Sequence, residues 1–357
     1  MEAIDDLYRM DFNLAEADTR KAMALNPEHP HPYLSLAGIT WTRYVYGRDQ
    51  SDQTLLPVFE SQVNRAMEVS RRWLQKHPGD PEGLMTLGAA YGVSSRLLLV
   101  RRQWLKAYRH ARMALQFTRS AVKADPKLHD AYLCIGMYDY YADLYPRLIG
   151  ALARLVLGGS RLRGIATLKM VAEEGRYSRN AAKMMLVEIY TEDPYGARNP
   201  AEAVRIMREF RARYPRSAML HSAMLVALYS DERYEDVVHG AGEFLGLVAE
   251  GKYESHDKAE GEVILATALW ALGRREQALE AFGQAAQVRI GDALSRWATW
   301  ALLRRGELED SMGNRWAALK DYSAAASRID SWGLRERAVK RALKPFREEF
   351  PGPIPPP

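Results

Sequence analysis

The chain has a single cysteine, Cys134, among its 357 residues. One cysteine excludes an internal disulfide and a zinc site built from several thiolates. The sequence also lacks a long apolar run, because its most hydrophobic stretch, residues 148–157, is interrupted by Arg154. A helix that spans a bilayer needs roughly 20 apolar residues. We therefore expect this stretch to form a buried or amphipathic helix.

No basic segment leads into an apolar one at the start of the chain, where Met1 is followed by Glu2, Asp5 and Asp6. Secretory leaders have that basic-then-apolar order. From the chain as it stands we expect a cytoplasmic protein. The alternative expectation is a periplasmic or envelope protein whose signal peptide has been removed.

Residue combinations typical of catalytic or metal sites are also missing. The sequence has no Walker-type phosphate loop, no serine-nucleophile pentapeptide and no paired histidines at metal-binding helical spacing. His29 and His31 lie in a proline-rich turn, which favours a structural role before a helix. We expect no enzymatic activity, no cofactor and no metal ion.

Acidic residues are absent from two long stretches. Residues 83–124 carry eight basic side chains and residues 144–172 carry five, and neither contains an acid. The whole chain has a net charge of +5, so the remainder is net acidic and charge is segregated along the sequence. This pattern predicts a basic surface. The arginines that we assign to it are Arg101, Arg102, Arg109 and Arg112.

Several partners fit such a surface. One is an acidic protein, and another is a layer of anionic lipid headgroups, favoured by Trp104 and Tyr108 among the arginines. Nucleic acid is disfavoured because no known nucleic-acid module is present. The structural alternative is a solvated face that pairs with acids from neighbouring repeats. The acid-rich segment 231–262 could supply such acids within one chain or from a second copy, so self-association stays open.

A fixed spacing recurs along the chain. A small residue is followed 12 positions later by a proline, in the pairs Ala15 and Pro27, Ala66 and Pro78, Ala114 and Pro126, and Ala203 and Pro215. After three of these prolines a new helical pattern begins with a small residue at a constant offset. Such self-similarity is typical of a helical repeat array, which buries its core between neighbouring repeats.

One later segment matches the tetratricopeptide (TPR) repeat at almost every position. Its matching residues are Leu265, Ala266, Leu269, Gly273, Ala278, Phe282 and Ala285. The chain thus resembles the TPR family, whose repeats are helix–turn–helix units of about 34 residues. The resemblance implies an all-α, right-handed TPR-like α-solenoid of about eight helix pairs in a single array over residues 1–350. We expect a cap helix at 334–350 and a disordered proline-rich tail at 351–357.

Three repeats are longer than the standard unit. They span residues 31–78, 81–126 and 129–176, with insertions of roughly 14 to 17 residues between the two helices. Long structureless loops are uncommon inside compact arrays. Leu97, Val100, Trp104 and Tyr108 fall at helical spacing, as do Leu148, Leu152 and Leu155. We therefore predict helical insertions, either as helices lengthened by several turns or as extra short helices packed at one edge.

The enlarged repeats resemble a narrower group of TPR-like proteins, many of them bacterial and exported. The segments that carry this resemblance are PEHPHPY at 27–33, GMYDYYADLYP at 136–146 and GGSRLRGI at 158–165. The sequence departs from the group at Ser160, where an aspartate is common. The group implies no established catalytic activity.

Positions that correspond between repeats predict an apolar concave row. The row includes Leu34 and Gly38, Met85 and Ala89, and Leu133, and it lacks the lysine and asparagine clamp of chaperone-binding repeats. The residues that we assign to a partner-binding groove are Trp41, Met85, Leu133, Met137, Tyr140 and Tyr141. A groove of this kind suits an amphipathic helix or an extended apolar peptide. We predict a non-catalytic scaffold or adaptor that binds another protein.

Two alternatives accompany this prediction. The insertions or the last helix could fill the groove. The aromatic run 138–143 could pack into the long insertion while its acids meet the basic residues around it. A different function is a carrier or sensor of an apolar small molecule or lipid, held in a cavity that the lengthened helices close.

Overall fold

Helices account for most of the chain that the structure describes. The computed structural model describes residues 2–50, 52–149, 158–290, 293–328 and 333–354. Within these ranges 17 α-helices follow one another, with a ladder of two short strands before the fifteenth. The prediction of an all-α chain is confirmed. Among the described helices, none has both the length and the apolar composition needed to cross a membrane.

The described helices are numbered in chain order. They are α1 (Glu2–Tyr8), α2 (Phe12–Leu25), α3 (His31–Thr42), α4 (Leu55–Lys76), α5 (Pro81–Val100), α6 (Trp104–Ala124), α7 (Tyr132–Ile149), α8 (Arg161–Glu174), α9 (Arg179–Glu192), α10 (Pro200–Arg213), α11 (Ala218–Ser230), α12 (Tyr234–Ala249), α13 (Asp257–Ala271), α14 (Arg275–Ala285), α15 (Arg296–Ser311), α16 (Arg315–Ala326) and α17 (Leu334–Leu343). A π-helical segment, Arg43–Gly47, continues α3, and a 3₁₀ turn, His129–Ala131, precedes α7. Strand β1 (Arg289–Ile290) pairs antiparallel with β2 (Ala293–Leu294).

Short polar residues cap the first turn of several helices. The Asp80 carboxylate accepts a hydrogen bond from the Gly83 amide at 2.7 Å at the start of α5. Asn199 caps α10 in the same way, and the proline after each of these two residues opens the helix. Caps of this kind satisfy amide groups that have no partner in the first turn. The Asp-Pro and Asn-Pro steps therefore fix where these helices begin.

The helices form two compact units. The front unit comprises Met1–Leu7, Asp11–Arg43 and Thr54–Leu186, and the rear unit comprises Tyr8–Met10, Tyr44–Gln53 and Val187–Pro357. Within each unit most helices pack against the helix before and the helix after them in the chain. The single array over residues 1–350 stays a prediction.

Small residues lie where paired helices cross. A Cβ atom added to Gly164 in α8 would lie 2.7 Å from the carbonyl oxygen of Gly136 in α7. A Cβ atom on Gly88 in α5 would lie 2.7 Å from Cγ2 of Thr118 in α6. Larger side chains do not fit at these points, so the glycines set the distance between the helices. The small residues of the repeat pattern are all buried, at Ala114, Gly136, Ala203, Ala278 and Ala285.

The enlarged repeats contain long helices, as predicted. Helices α4, α5 and α6 have 22, 20 and 21 residues, against a mean of about 11 to 12 in globular proteins. A break divides the helical spacing from Leu97 to Tyr108 between two helices. The chain reverses at Arg102, whose φ of 57° is left-handed, and Trp104 starts a new helix. The predicted positions Leu152 and Leu155 lie outside the described residues.

The C-terminal segment differs from the prediction. Helix α17 ends at Leu343 and not at residue 350, because Pro345 disfavours the helical conformation for Lys344, which is extended. Residues 351–354, which we expected to be disordered, pack in the rear unit. The Tyr229 hydroxyl donates a hydrogen bond to the Gly352 carbonyl at 3.2 Å, and Ile354 is buried.

Candidate functional site

A cavity of about 60 Å³ lies in the front unit. Its apolar lining comes from Leu34 in α3, Met85 and Ala89 in α5, and Leu133 in α7. Leu34, Met85 and Leu133 each follow the proline of their repeat at the same distance in sequence. The cavity thus forms where corresponding positions of three successive repeats come together. We call this space, together with all the residues that line it, the front cavity.

Polar groups of the front cavity are held by backbone hydrogen bonds. The buried Asp130 carboxylate accepts hydrogen bonds from the amides of Arg176, Tyr177 and Ser178, at 3.2, 2.8 and 2.6 Å. These bonds fasten the turn before α9 to the 3₁₀ turn before α7. Since Asp130, Tyr177 and Ser178 also line the cavity, one of its walls has a fixed geometry.

Two titratable side chains of the front cavity are neutral near pH 7. Burial, with a smaller contribution from the neighbouring His29, lowers the pKa of His31 to about 4. Burial raises the pKa of the Cys134 thiol to about 11. A protonated thiol is a poor nucleophile, and an uncharged imidazole beside Tyr177 adds no charge. The front cavity is therefore suited to an uncharged, apolar group.

The six residues predicted for the groove have different surroundings. Met85 and Leu133 line the front cavity, and Met137 is half-buried on α7. The Trp41 ring packs on Phe59, with 5.1 Å between ring centroids. Tyr140 is buried at the crossing of α7 and α8, and its ring contacts that of Tyr141. A binding role for these residues stays a prediction.

The acids of the aromatic run 138–143 pair with the second basic stretch. The Arg163 guanidinium donates to both carboxylate oxygens of Asp139, at 2.5 and 2.6 Å, and Asp139 is buried. The Asp143 carboxylate accepts from the Arg161 amide at 3.1 Å. The alternative in which these acids meet nearby basic residues is therefore confirmed for Asp139, whereas the bond to Asp143 comes from a backbone amide.

The four arginines of the predicted basic surface are all exposed. Arg101 donates to the Glu60 carboxylate of α4 at 2.8 Å, so one acid from a neighbouring repeat does reach the basic stretch. Arg112 forms a hydrogen bond with Tyr138. The surface is thus partly paired within the front unit, and its role in binding stays a prediction.

The rear unit contains a buried polar cluster that the sequence reasoning missed. The Asp49 carboxylate accepts hydrogen bonds from the Ser295 hydroxyl, from the Arg296 amide at 2.9 Å and from Arg296 Nε at 2.5 Å. Asp49 and Arg296 are both 5% exposed. His256, Asp257 and Glu260 line a cavity of about 10 Å³ beside them, which is about the size of one water molecule. We call these six residues the rear cluster.

Burial changes the protonation of the rear cluster. It raises the pKa of Asp257 to about 7. Burial, with a smaller contribution from the charge of Asp257, raises the pKa of Glu260 to about 8. It lowers the pKa of His256. Among the described residues, no group of three or more histidine, cysteine or acidic side chains has an arrangement that could hold a metal ion.

No sequence signal connects Asp49 with Arg296, because 247 positions separate them. Asp49 and Gln50 both adopt left-handed φ angles, 46° and 54°, in the segment after the π-helical turn. That local turn directs the Asp49 carboxylate at the start of α15. Ser295 before an apolar helix was the only available hint, since serine is a common helix cap.

Comparisons with known proteins identify the fold. The sequence matches no protein-family profile and no curated protein. A human IFIT1 dimer with m7Gppp-AAAA aligns with a TM-score of 0.50 and 13% identity, over 95% of this chain and 80% of that one. Yeast Tom70 aligns with a TM-score of 0.43 and 10% identity, over 95% of this chain and 86% of that one.

Two further structures align over different shares of their own chains. A tetratricopeptide repeat protein from Parabacteroides merdae ATCC 43184 aligns with a TM-score of 0.37 and 14% identity, over 84% of this chain and 96% of that one. A chain of the APC/C hetero-tetramer Cut9-Hcn1 aligns with a TM-score of 0.46 and 13% identity, over 87% of this chain and 53% of that one. The present chain therefore spans about half the length of its match in that complex.

The helix pairs and the alignment with the human IFIT1 structure define the class of fold, a TPR-like α-solenoid. Folds of this class support protein interaction in general. The narrower bacterial group that segments 27–33 and 136–146 resemble stays a prediction.

Proposed function

We propose that this chain is a non-catalytic scaffold or adaptor that binds another protein through the front cavity. The observation that carries the proposal is the origin of the cavity lining. Leu34, Met85 and Leu133 are corresponding residues of three successive repeats, and they line one cavity. Repeat proteins bind partners on surfaces that such periodic positions build.

The volume and the apolar lining of the front cavity favour a particular kind of anchor. An apolar cavity of roughly 150 Å³ accommodates benzene, whereas the front cavity has about 60 Å³. The end of one aliphatic side chain suits that volume. Helices and extended peptides commonly bind by placing such anchors in apolar recesses. We infer that the partner presents an aliphatic residue on an amphipathic helix or an extended peptide.

The alternative function, a carrier of an apolar small molecule or lipid, receives less support. Ligand pockets usually enclose roughly 300 to 1,000 Å³, several times the volume of the front cavity. Catalysis also receives no support from this site, because Cys134 is a protonated thiol and His31 is neutral without a nucleophile to activate.

A selection from a displayed random-peptide library tests the proposed function. We expect selected peptides to share an aliphatic anchor, and we expect Ala89→Leu to weaken their binding at least about tenfold by occupying the front cavity. Ala124→Leu is the matched control, since Ala124 is exposed on α6. Dissociation constants and melting curves would be measured for both variants. Equal affinity for the wild type and a folded Ala89→Leu variant would contradict the proposal.

A further inference from the structure

The first two turns of α6 expose three large apolar side chains within five residues. Trp104 is 63% exposed, Leu105 is 87% exposed and Tyr108 is 38% exposed. The opposite side of the same helix is buried through Ala107, Ala114 and Leu115, so the exposed side chains are not needed to attach α6 to the front unit. Single exposed apolar residues are common, but a contiguous group usually marks an interaction site.

The chain reversal at Arg102 explains why these side chains project outward. Since α5 ends at Val100 and α6 starts at Trp104, the apolar residues occupy the beginning of a new helix. Leu105, Tyr108 and Arg109 have the spacing of i, i+3 and i+4, which places them on one face of α6. We call Trp104, Leu105, Lys106, Tyr108 and Arg109 the α6 patch.

The charges of the α6 patch are positive and uncompensated. Lys106 and Arg109 are exposed, and within the described part of the chain neither makes an ion pair or a side-chain hydrogen bond. The stretch 83–124 contains no acid that could pair with them along the helix. Arg101 differs, because Glu60 already neutralises it. The α6 patch therefore combines projecting apolar side chains with two cations that have no acidic neighbour on their own helix.

We propose that the α6 patch binds the surface of a membrane that contains anionic lipids. Tryptophan, tyrosine and leucine insert at the boundary between headgroups and acyl chains, while lysine and arginine remain at the headgroups. Anionic headgroups supply the charge that Lys106 and Arg109 lack. A membrane accepts side chains that project from a helix, whereas a protein partner needs a recess shaped to receive them. This inference is independent of the front cavity.

Vesicle flotation with the full chain tests the proposal. The probes are vesicles of phosphatidylcholine alone and vesicles of phosphatidylcholine mixed with phosphatidylglycerol. We expect binding to the mixed vesicles only. The double variant Lys106→Gln/Arg109→Gln should lower the partition coefficient roughly fivefold for each charge removed, and raised salt should lower it for the wild type. The double variant Trp104→Ser/Leu105→Ser should also lose most of the binding.

Trp316 provides a matched control. It lies in the first turn of α16 in the rear unit, and it is 89% exposed. Trp316→Ser should bind the mixed vesicles as the wild type does. Lipids with brominated acyl chains should quench tryptophan fluorescence in the wild type and in Trp316→Phe, and the quenching should be much weaker in Trp104→Phe.

Several results would overturn the proposal. Equal binding to both kinds of vesicle, no binding to either, or unchanged binding by a folded Trp104→Ser/Leu105→Ser variant would each do so. Binding to polyglutamate that matches vesicle binding and ignores the serine substitutions would assign the charges to an acidic protein instead. Circular dichroism and melting curves check folding. If the serine variant is unfolded, the charge variant and the quenching measurement still decide.

Discussion

The front and rear units each contain an aspartate whose two carboxylate oxygens both accept hydrogen bonds from one arginine. The surroundings of the two pairs differ. In the front unit the Asp139 side chain is 2% exposed and that of Arg163 is 57% exposed. In the rear unit the side chains of Asp49 and Arg296 are each 5% exposed. The same kind of ion pair is therefore partly exposed in the front unit and fully buried in the rear unit.

Desolvation determines how much stability is lost when one partner of each pair is removed. Water can replace the Arg163 guanidinium next to Asp139, because Arg163 is exposed. Water has little access to Asp49, whose other hydrogen bonds come from Ser295 and the Arg296 amide. A buried pair contributes little more than a well-packed apolar pair would, but a buried charge left alone is strongly destabilising.

Removing the rear arginine should have the largest effect. We expect Arg296→Met to destabilise the rear unit by about 3 to 5 kcal/mol, because it leaves the Asp49 carboxylate buried without its countercharge. Urea denaturation with hydrogen exchange of α13 and α15 amides would measure this loss in the rear unit itself. The double variant Asp49→Leu/Arg296→Met should recover most of the stability. An Arg296→Met variant as stable as the wild type would refute the difference between the two pairs.

The pH dependence of stability should differ between the units. Asp257 and Glu260 have native pKa values of about 7 and 8, above the usual values for unfolded carboxyl groups. The native rear unit therefore binds more protons than the unfolded chain, and its stability falls as pH rises through this range. We expect a loss of about 2 kcal/mol between pH 6.5 and 8.

The histidines contribute a pH dependence of the opposite sign. Burial lowers the pKa values of His31, His221 and His256, so the stability that they contribute is present above the unfolded value of about 6.5 and is lost on acidification through it. Urea denaturation at several pH values above 7 would measure the slope that comes from the carboxyl groups. The double variant Asp257→Asn/Glu260→Gln should reduce it to the part that Glu192 supplies, since burial also raises the pKa of Glu192 to about 7. A slope that this variant leaves unchanged would contradict the assignment.

The repeat spacing was sufficient to predict the front unit's helix pairs. The step from Ala114 to Pro126 and the offset to Gly136 encode local geometry, since each describes one helix, one turn and one crossing. The apolar row at Leu34, Met85 and Leu133 follows from the same periodicity. The prediction of helix pairs succeeded because the interactions that build each pair join residues within one repeat or between neighbouring repeats.

The rear cluster could not be predicted in that way. Asp49 reaches Arg296 from a distant part of the sequence, and no period relates the two positions. The helix break before Trp104 could not be predicted either, because a left-handed Arg102 interrupts a spacing that is otherwise typical of one helix. The tail at 351–354 packs through backbone carbonyls that accept from Tyr229, and carbonyl groups carry no sequence signal.

The front pair should give the smallest effect. We expect Arg163→Met to destabilise the front unit by about 0.2 to 1 kcal/mol, because the side of Asp139 that faces Arg163 becomes accessible to water when the exposed guanidinium is removed. The loss of stability is greater than zero because Asp139 itself is buried. Lys169→Met, an exposed substitution on the same helix, controls for the loss of one positive charge. Urea denaturation of Arg163→Met, Asp139→Asn and the double variant gives a coupling energy for the pair. A coupling as large as that of Asp49 with Arg296 would show that exposure of one partner does not weaken the pair, and the contrast between the two units would then have to rest on their cavities alone.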